Sequence, residues 1–287
     1  MRDYLVFVRA GPSSLHPRLL AEDPHRNWDC YVNAWSDRQV GEALGSSAEF
    51  HEPGGLNKFE AFAEAWPAIR KVHAYRFVLM LDDDLIFEPG DVSRFFDYCE
   101  RENLKIAQPA IAIGSHANHW INIRNPGCEV RRVNFVEVMA PCFSRAALEL
   151  LLPTFTLTRC TWGIDYAWAS MLDGQDAFSI VDAVPMRHTK PMDVDGGPFY
   201  QRLLSMGIDP RGELESIHRR FVPWGPMRTM DDGHRYRWAF PQAVNKRLVA
   251  WSEQRKKRMH LTAGGTLAPQ TPAPSKAQIS SADAAPA

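Results

Sequence analysis

Residues 75 to 87, YRFVLMLDDDLIF, set three adjacent carboxylates, Asp82, Asp83 and Asp84, at the end of an apolar run from Phe77 to Leu81. Like charges this close repel, so the arrangement costs stability unless a cation or hydrogen-bond donors offset it. Hard divalent ions take oxygen ligands. Asp82 and Asp84 stand two positions apart, which puts them on the same side of an extended backbone, with Asp83 on the other. Such a pair can hold Mn²⁺ or Mg²⁺, which in turn bridges a diphosphate. The plainer reading is a turn or helix cap, because Asp commonly ends strands. Three in succession behind so apolar a strand weigh against it.

The elements that must position this cluster follow from the apolar pattern. YLVFV (4–8), WDCYVNAW (28–35) and RFVLML (76–81) read as buried strands. LKIAQPAI (104–111), RVNFVEVMAPCFS (132–144) and AFSIVDAV (177–184) read as further strands. Between them, residues 56–72 have helical spacing with Pro67 as a bend or break. A second helix follows PGD with Asp91 as its N-cap. SRAALELLLPTF and GIDYAWASMLDG open two more. Strands alternating with helices imply an α/β domain, Rossmann-like, with a mostly parallel central sheet flanked by helices. Ligands of such sheets bind at the carboxyl ends of the strands, which is where the three Asp residues lie.

The bulk composition excludes more than it assigns. A formal net charge of −1 over 287 residues gives no electrostatic case for nucleic acid or an anionic membrane. Five scattered cysteines without a CxxC form neither a zinc site nor a disulfide framework. No run approaches the roughly 18 apolar residues of a membrane span, and the apolar stretch near the N-terminus is shorter than a signal peptide requires. A soluble, cytoplasmic protein with no transmembrane segment is expected. There is no GxGxxG, Walker A, GxSxG or HExxH. From about residue 262 the chain lacks aromatics and reads as a disordered tail, 262–287.

Two enzyme classes place Asp-x-Asp after an apolar strand. Haloacid-dehalogenase-like phosphatases carry it on the first strand, whereas here it lies on about the third. Glycosyltransferases of the A-type fold carry it at the end of a middle strand, after the nucleotide-binding half. LDDDL, KIAQPAI, FVEVMAPCFSR, WGIDYAW and IVDAVPMRH occur in the order of a plant and bacterial family of unknown function labelled lysine-ketoglutarate-reductase trans-splicing-related. The chain resembles that family over about residues 3 to 200, and the family in turn looks like A-type glycosyltransferases. The resemblance implies a single glycosyltransferase-like domain over 1–260. Its nucleotide part would span about 1–90, its acceptor part about 91–195 and a C-terminal extension about 196–260.

That resemblance gives roles to further residues. Asp165, in the first turn of its helix, is the expected base toward an acceptor hydroxyl, or else a favourable charge at a helix start. Trp162 beside it is a candidate sugar-stacking wall. His188 aligns with a family histidine that returns to the metal, giving Asp82, Asp84 and His188 as ligands. At the predicted ligand edge, Arg9, Asp37, Lys58, Asp82 and Asp83 are nucleotide-binding candidates. Arg9 and Lys58 would face phosphate or ribose, Asp37 a base, and Asp82 or Asp83 ribose. Glu137, an acid expected inside an apolar strand, must be paired or functional; it would bind an acceptor hydroxyl or pair with Arg124 or Arg132.

The expected donor is a nucleoside-diphosphate-sugar and the acceptor an unidentified hydroxyl. A non-catalytic nucleotide- or glycan-binding protein on the same fold, and a metal-dependent phosphohydrolase or nucleotidyltransferase, remain alternatives.

Overall fold

The structure is a computed structural model that describes residues 2–35, 48–193, 196–221 and 225–230. Its centre is a nine-stranded mixed sheet. The strands are β1 (Tyr4–Ala10), β2 (Trp28–Ala34), β3 (Phe50–Pro53), β4 (Phe77–Asp82), β5 (Leu85–Ile86), β6 (Ile106–Ile111), β7 (Val130–Val133), β8 (Cys142–Ser144) and β9 (Phe178–His188). They lie in the order β3-β2-β1-β4-β8-β6-β9-β5, with β7 also pairing β9. The half β3-β2-β1-β4 is parallel throughout. Beyond it, β8 runs antiparallel to both β4 and β6, while β6 and β9 are parallel. The molecule is therefore an α/β protein with helices covering both faces of a large central sheet.

Alternation explains why the central strands read as unbroken apolar runs. In β1, Leu5 and Phe7 enter one core while Tyr4, Val6 and Val8 enter the other. In β4, Val78 and Met80 face the first core, and Phe77, Leu79 and Leu81 the second. A strand buried on both faces has no polar side to show. On the first face lie α2 (Lys58–Val72), α4 (Arg145–Leu151) and α5 (Ile164–Met171). Helix α2 contributes Phe59, Phe62 and Trp66, all fully buried and each worth roughly 2–3 kcal/mol of transfer free energy. On the second face, α3 (Asp91–Arg101) contributes Val92, Phe95 and Phe96, and α1 (His16–Ala21) contributes Leu20.

Several local expectations change. Pro67 neither ends nor breaks α2, which runs through it to Val72, because Trp66 and Ile69 anchor that turn in the core. Gly90, with φ +76°, caps α3, and Asp91 is its first residue, paired with Arg94. Residues 132–144 are not one strand: β7 ends at Val133 and β8 begins at Cys142. The intervening segment is as apolar as a strand because it is a buried loop. Pro109 sits inside β6, and the register with β9 shifts between Pro109 and Ala110, as a residue without an N–H requires. Asp37, residues 231–260 of the C-terminal extension and the expected tail at 262–287 lie outside the described residues. Two helices of that extension are described, α6 (Pro198–Ser205) and α7 (Pro210–Arg220).

Candidate functional site

Strand β4 ends at Asp82, and Asp83 and Asp84 form the turn into β5. The three carboxylates are therefore not strung along an extended backbone, and each finds a different partner. Asp84 meets His188 at the end of β9, Oδ2 to Nε2 at 3.3 Å. The turn and the strand end are stitched together around them. Thr189 donates both its N–H (3.1 Å) and its hydroxyl (2.8 Å) to the Asp84 carbonyl. Ser115 Oγ accepts from His188 N (2.7 Å) and donates to His188 O (2.9 Å). His188 Nδ1 lies 3.3 Å from the His116 carbonyl, which fixes the ring so that Nε2 faces Asp84. Burial pulls the His188 pKa down, but the hydrogen bond and charge of Asp84 outweigh it, and the net shift is upward.

Among the described residues, no group of three or more His, Cys, Asp or Glu is placed to hold a metal ion. What the site offers is one carboxylate and one imidazole side by side, with Asp82 two residues away. Asp84 and His188 are the residues that could hold a divalent ion, since carboxylate oxygens suit hard cations and imidazole suits Mn²⁺.

Asp82 continues the Val78–Met80 face of β4 and so meets the start of α2. Lys58 Nζ donates to Asp82 Oδ1 at 2.7 Å. It also donates to the carbonyls of Val138 (2.8 Å) and Met139 (2.9 Å), with Met80 O at 3.4 Å. Burial lowers the Lys58 pKa while Asp82 raises it, with a net downward shift. The three ammonium protons are thus engaged within the protein rather than directed at a phosphate. Asp83 turns away toward the loop after β1, where its Oδ2 accepts the Gly11 N–H at 2.6 Å. Burial raises its pKa to about 6, against the pull of that hydrogen bond. Gly11 has no room for a side chain, since a Cβ there would run into the Trp35 indole.

Arg9 is also spoken for. Its guanidinium binds Asn33 Oδ1 and the carbonyls of Gly54, Gly55 and Leu56. It ties β1 to the loop before α2, and burial, followed by the charge of Arg202, lowers its pKa to about 10.

The buried loop 134–141 forms the other wall; β4 donates the Asp82 and Met80 N–H groups to its Met139 (3.0 Å) and Pro141 (2.9 Å) carbonyls, and side chains satisfy other groups of its backbone. Gln108 Oε1 accepts the Glu137 N–H (2.7 Å), Asp165 Oδ2 accepts that of Val138 (3.3 Å), and Lys58 takes two carbonyls. The Glu137 carboxylate pairs with neither Arg124 nor Arg132. It accepts from Asn118 Nδ2 (2.7 Å) and Asn122 Nδ2 (3.1 Å). Asn122 in turn belongs to the segment held by Arg131, which pairs with the buried Asp182 at 2.6 Å and donates to the Ile121 and Ile123 carbonyls.

Asp165 is buried at the start of α5. Burial first, then the charge of Glu137, raises its pKa to about 7, although its hydrogen bonds from Val138 and Tyr166 act the other way. Asp165 and Glu137 are therefore two neighbouring acids in unlike environments, one poised near neutrality.

Trp162 is presented by a strained turn: Thr161 has φ +72° and Gly163 φ +86°. A β-branched residue at positive φ is a true outlier. The turn is braced by α7, whose Glu213 accepts the N–H groups of Arg159 (3.0 Å) and Cys160 (2.8 Å). A Cβ on Gly163 would lie 3.0 Å from Ile217. The Trp162 indole donates to the Tyr200 hydroxyl of α6 at 3.0 Å. Burial is the chief cause raising the Tyr200 pKa to about 12, and the charges of Asp82 and Glu137 add to it. Tyr200, Ser115, Asn118, Asn122 and Glu213 were not among the sequence candidates. The signals for them are faint, being polar residues in loops and in the C-terminal extension.

No protein-family model and no curated protein matches the chain. Among solved structures, one from Desulfovibrio desulfuricans G20, described as a candidate nucleotide-diphospho-sugar transferase, is similar to 76% of this chain and 99% of its own. The identity is 10% and the TM-score 0.41. At that level the likeness says nothing of substrate or reaction.

Proposed function

We propose that the protein is a metal-dependent glycosyltransferase that moves a sugar from a nucleoside-diphosphate-sugar to a hydroxyl acceptor. The observation that carries this reading is the pairing of Asp84 with His188, from segments far apart in the sequence, at the carboxyl edge of β4. The fold spends two backbone-anchored loops and a buried serine to hold them there. Asp84 and His188 would hold Mn²⁺ or Mg²⁺, with Asp82 assisting, and the bound ion would neutralise the departing diphosphate. Residues to about 90 form the nucleotide side and 91–195 the acceptor side. Asp165, with a pKa of about 7, suits a base toward the acceptor hydroxyl in an inverting reaction. In a retaining one it would orient the acceptor. Trp162 and Tyr200 wall the acceptor side.

Arg9 and Lys58 act in this scheme by fixing the loops around the donor, since their donors are committed to the protein. The poised Asp165 favours turnover over a purely binding role.

Titration with UDP, GDP and CDP, with and without Mn²⁺, tests the reading. One nucleotide is expected to bind more tightly with metal, and its sugar donors to release it as diphosphate. Metal-independent weak binding of all three removes the proposal. Hydrolysis of a simple phosphate ester, lost in Asp82→Asn, replaces it with a phosphohydrolase.

A further inference from the structure

Lys58 occupies a place that disfavours it twice. As the first residue of α2 it puts a cation at the positive end of the helix dipole. It is also almost wholly enclosed, with its side chain 4% exposed, where an ammonium survives only if paired and hydrogen-bonded. The surroundings meet that demand through Asp82 Oδ1 and the carbonyls of Val138 and Met139. Its neighbour Asn57 caps α2 and donates to the Arg159 carbonyl. The start of α2 thus joins the acidic turn, the Glu137 loop and the Trp162 turn. A neutral Gln amide could donate to two of these oxygens without setting a cation at the helix start, so the charge itself needs a reason.

We propose that Lys58 is the resident counter-ion of the acidic site, a positioning residue that occupies Asp82 and leaves a divalent ion principally to Asp84 and His188. The inference rests on the metal reading above and concerns the division of labour within it. The fixed ammonium keeps Asp82, Asp84 and Glu137 from repelling one another when no ion is bound. It also weakens the site's affinity for a free divalent ion, so that the ion is held firmly only together with an anionic ligand.

Mn²⁺ alone, titrated calorimetrically and by the loss of its free-ion electron-spin signal, tests this without any turnover assay. Lys58→Met and Lys58→Gln both remove the charge. The Gln variant keeps a hydrogen-bond donor, which guards against loss of the fold. Lys58→Arg retains the charge. The neutral variants should bind Mn²⁺ about tenfold tighter than wild type, as expected when a unit charge beside a ligand carboxylate is removed. The Arg variant should stay within about threefold of wild type on the same electrostatic ground. Neutral variants that bind no tighter, or an Arg variant that tightens equally, would make Lys58 a structural tie and overturn the proposal. If neither wild type nor any variant takes up Mn²⁺, the metal reading falls and this proposal with it, so the two failures are distinguishable.

Discussion

Asp165 and Glu137 show how two like residues acquire unlike chemistry from their neighbours. Glu137 has two asparagine amides on its oxygens. Asp165 is enclosed beside it, and its pKa of about 7 lies above the roughly 3.9 of an unfolded Asp. The folded state therefore binds this proton more tightly than the unfolded state. Its contribution is fully present below about pH 4 and is lost as pH rises through about 7. Asp165→Asn removes that loss. In urea titrations the variant should gain stability relative to wild type between pH 4 and pH 8, by on the order of a few kcal/mol at most. Asp83, also raised, titrates in both proteins and cancels in the difference. A difference that does not change with pH would show that Asp165 is not perturbed by its burial.

At the scale of elements, the acceptor wall is held by a helix far along the chain. Glu213 of α7 takes two backbone N–H groups of the turn that carries Trp162, while Thr161 in that turn stays at φ +72°. Strain of this kind costs of order 1–3 kcal/mol and persists only where the surroundings enforce it. Glu213→Ala should lower stability by about 1–3 kcal/mol, the cost of leaving such groups unpaired. It should also speed amide hydrogen exchange at Arg159 and Cys160. Unchanged protection at those two amides would mean the turn holds itself.

This bracing also marks where sequence reading stops. Helix α5 and strands β1, β2 and β4 are visible because burial leaves a periodic or continuous apolar trace. The loop 134–141 carries the same apolar trace without being a strand: it lends β4 only the Met139 and Pro141 carbonyls, while the side chains of Gln108, Asp165 and Lys58 meet other groups of its backbone. Nothing in the local pattern of NFVEVMAP distinguishes the two cases.

For the whole molecule, the α/β fold and the position of the acidic cluster at the carboxyl end of β4 follow from the sequence, whereas the sheet expected to be mostly parallel is mixed, with β5, β7 and β8 pairing antiparallel. The cluster stands out because three charges directly end a strand that is apolar on both faces. The pairing of His188 with Asp84 does not follow from spacing, because it depends on β9 pairing β5 antiparallel, Leu85 opposite His188. Lys58 and Arg9 were legible as cations at the ligand edge, but not as cations already committed to protein carbonyls. Such commitments arise only when distant loops meet.

Among the described residues no helix is long and apolar enough to cross a membrane. The most direct measurement is calorimetric titration of nucleoside diphosphates into wild type and Asp84→Asn, with and without Mn²⁺. Wild type should bind one nucleotide in a metal-enhanced manner. The variant should lose that enhancement while keeping its fold, at equal or slightly greater stability because a repulsive charge is gone. An Asp84→Asn protein that still shows full metal-enhanced binding would contradict the account and reduce the acidic cluster to a turn.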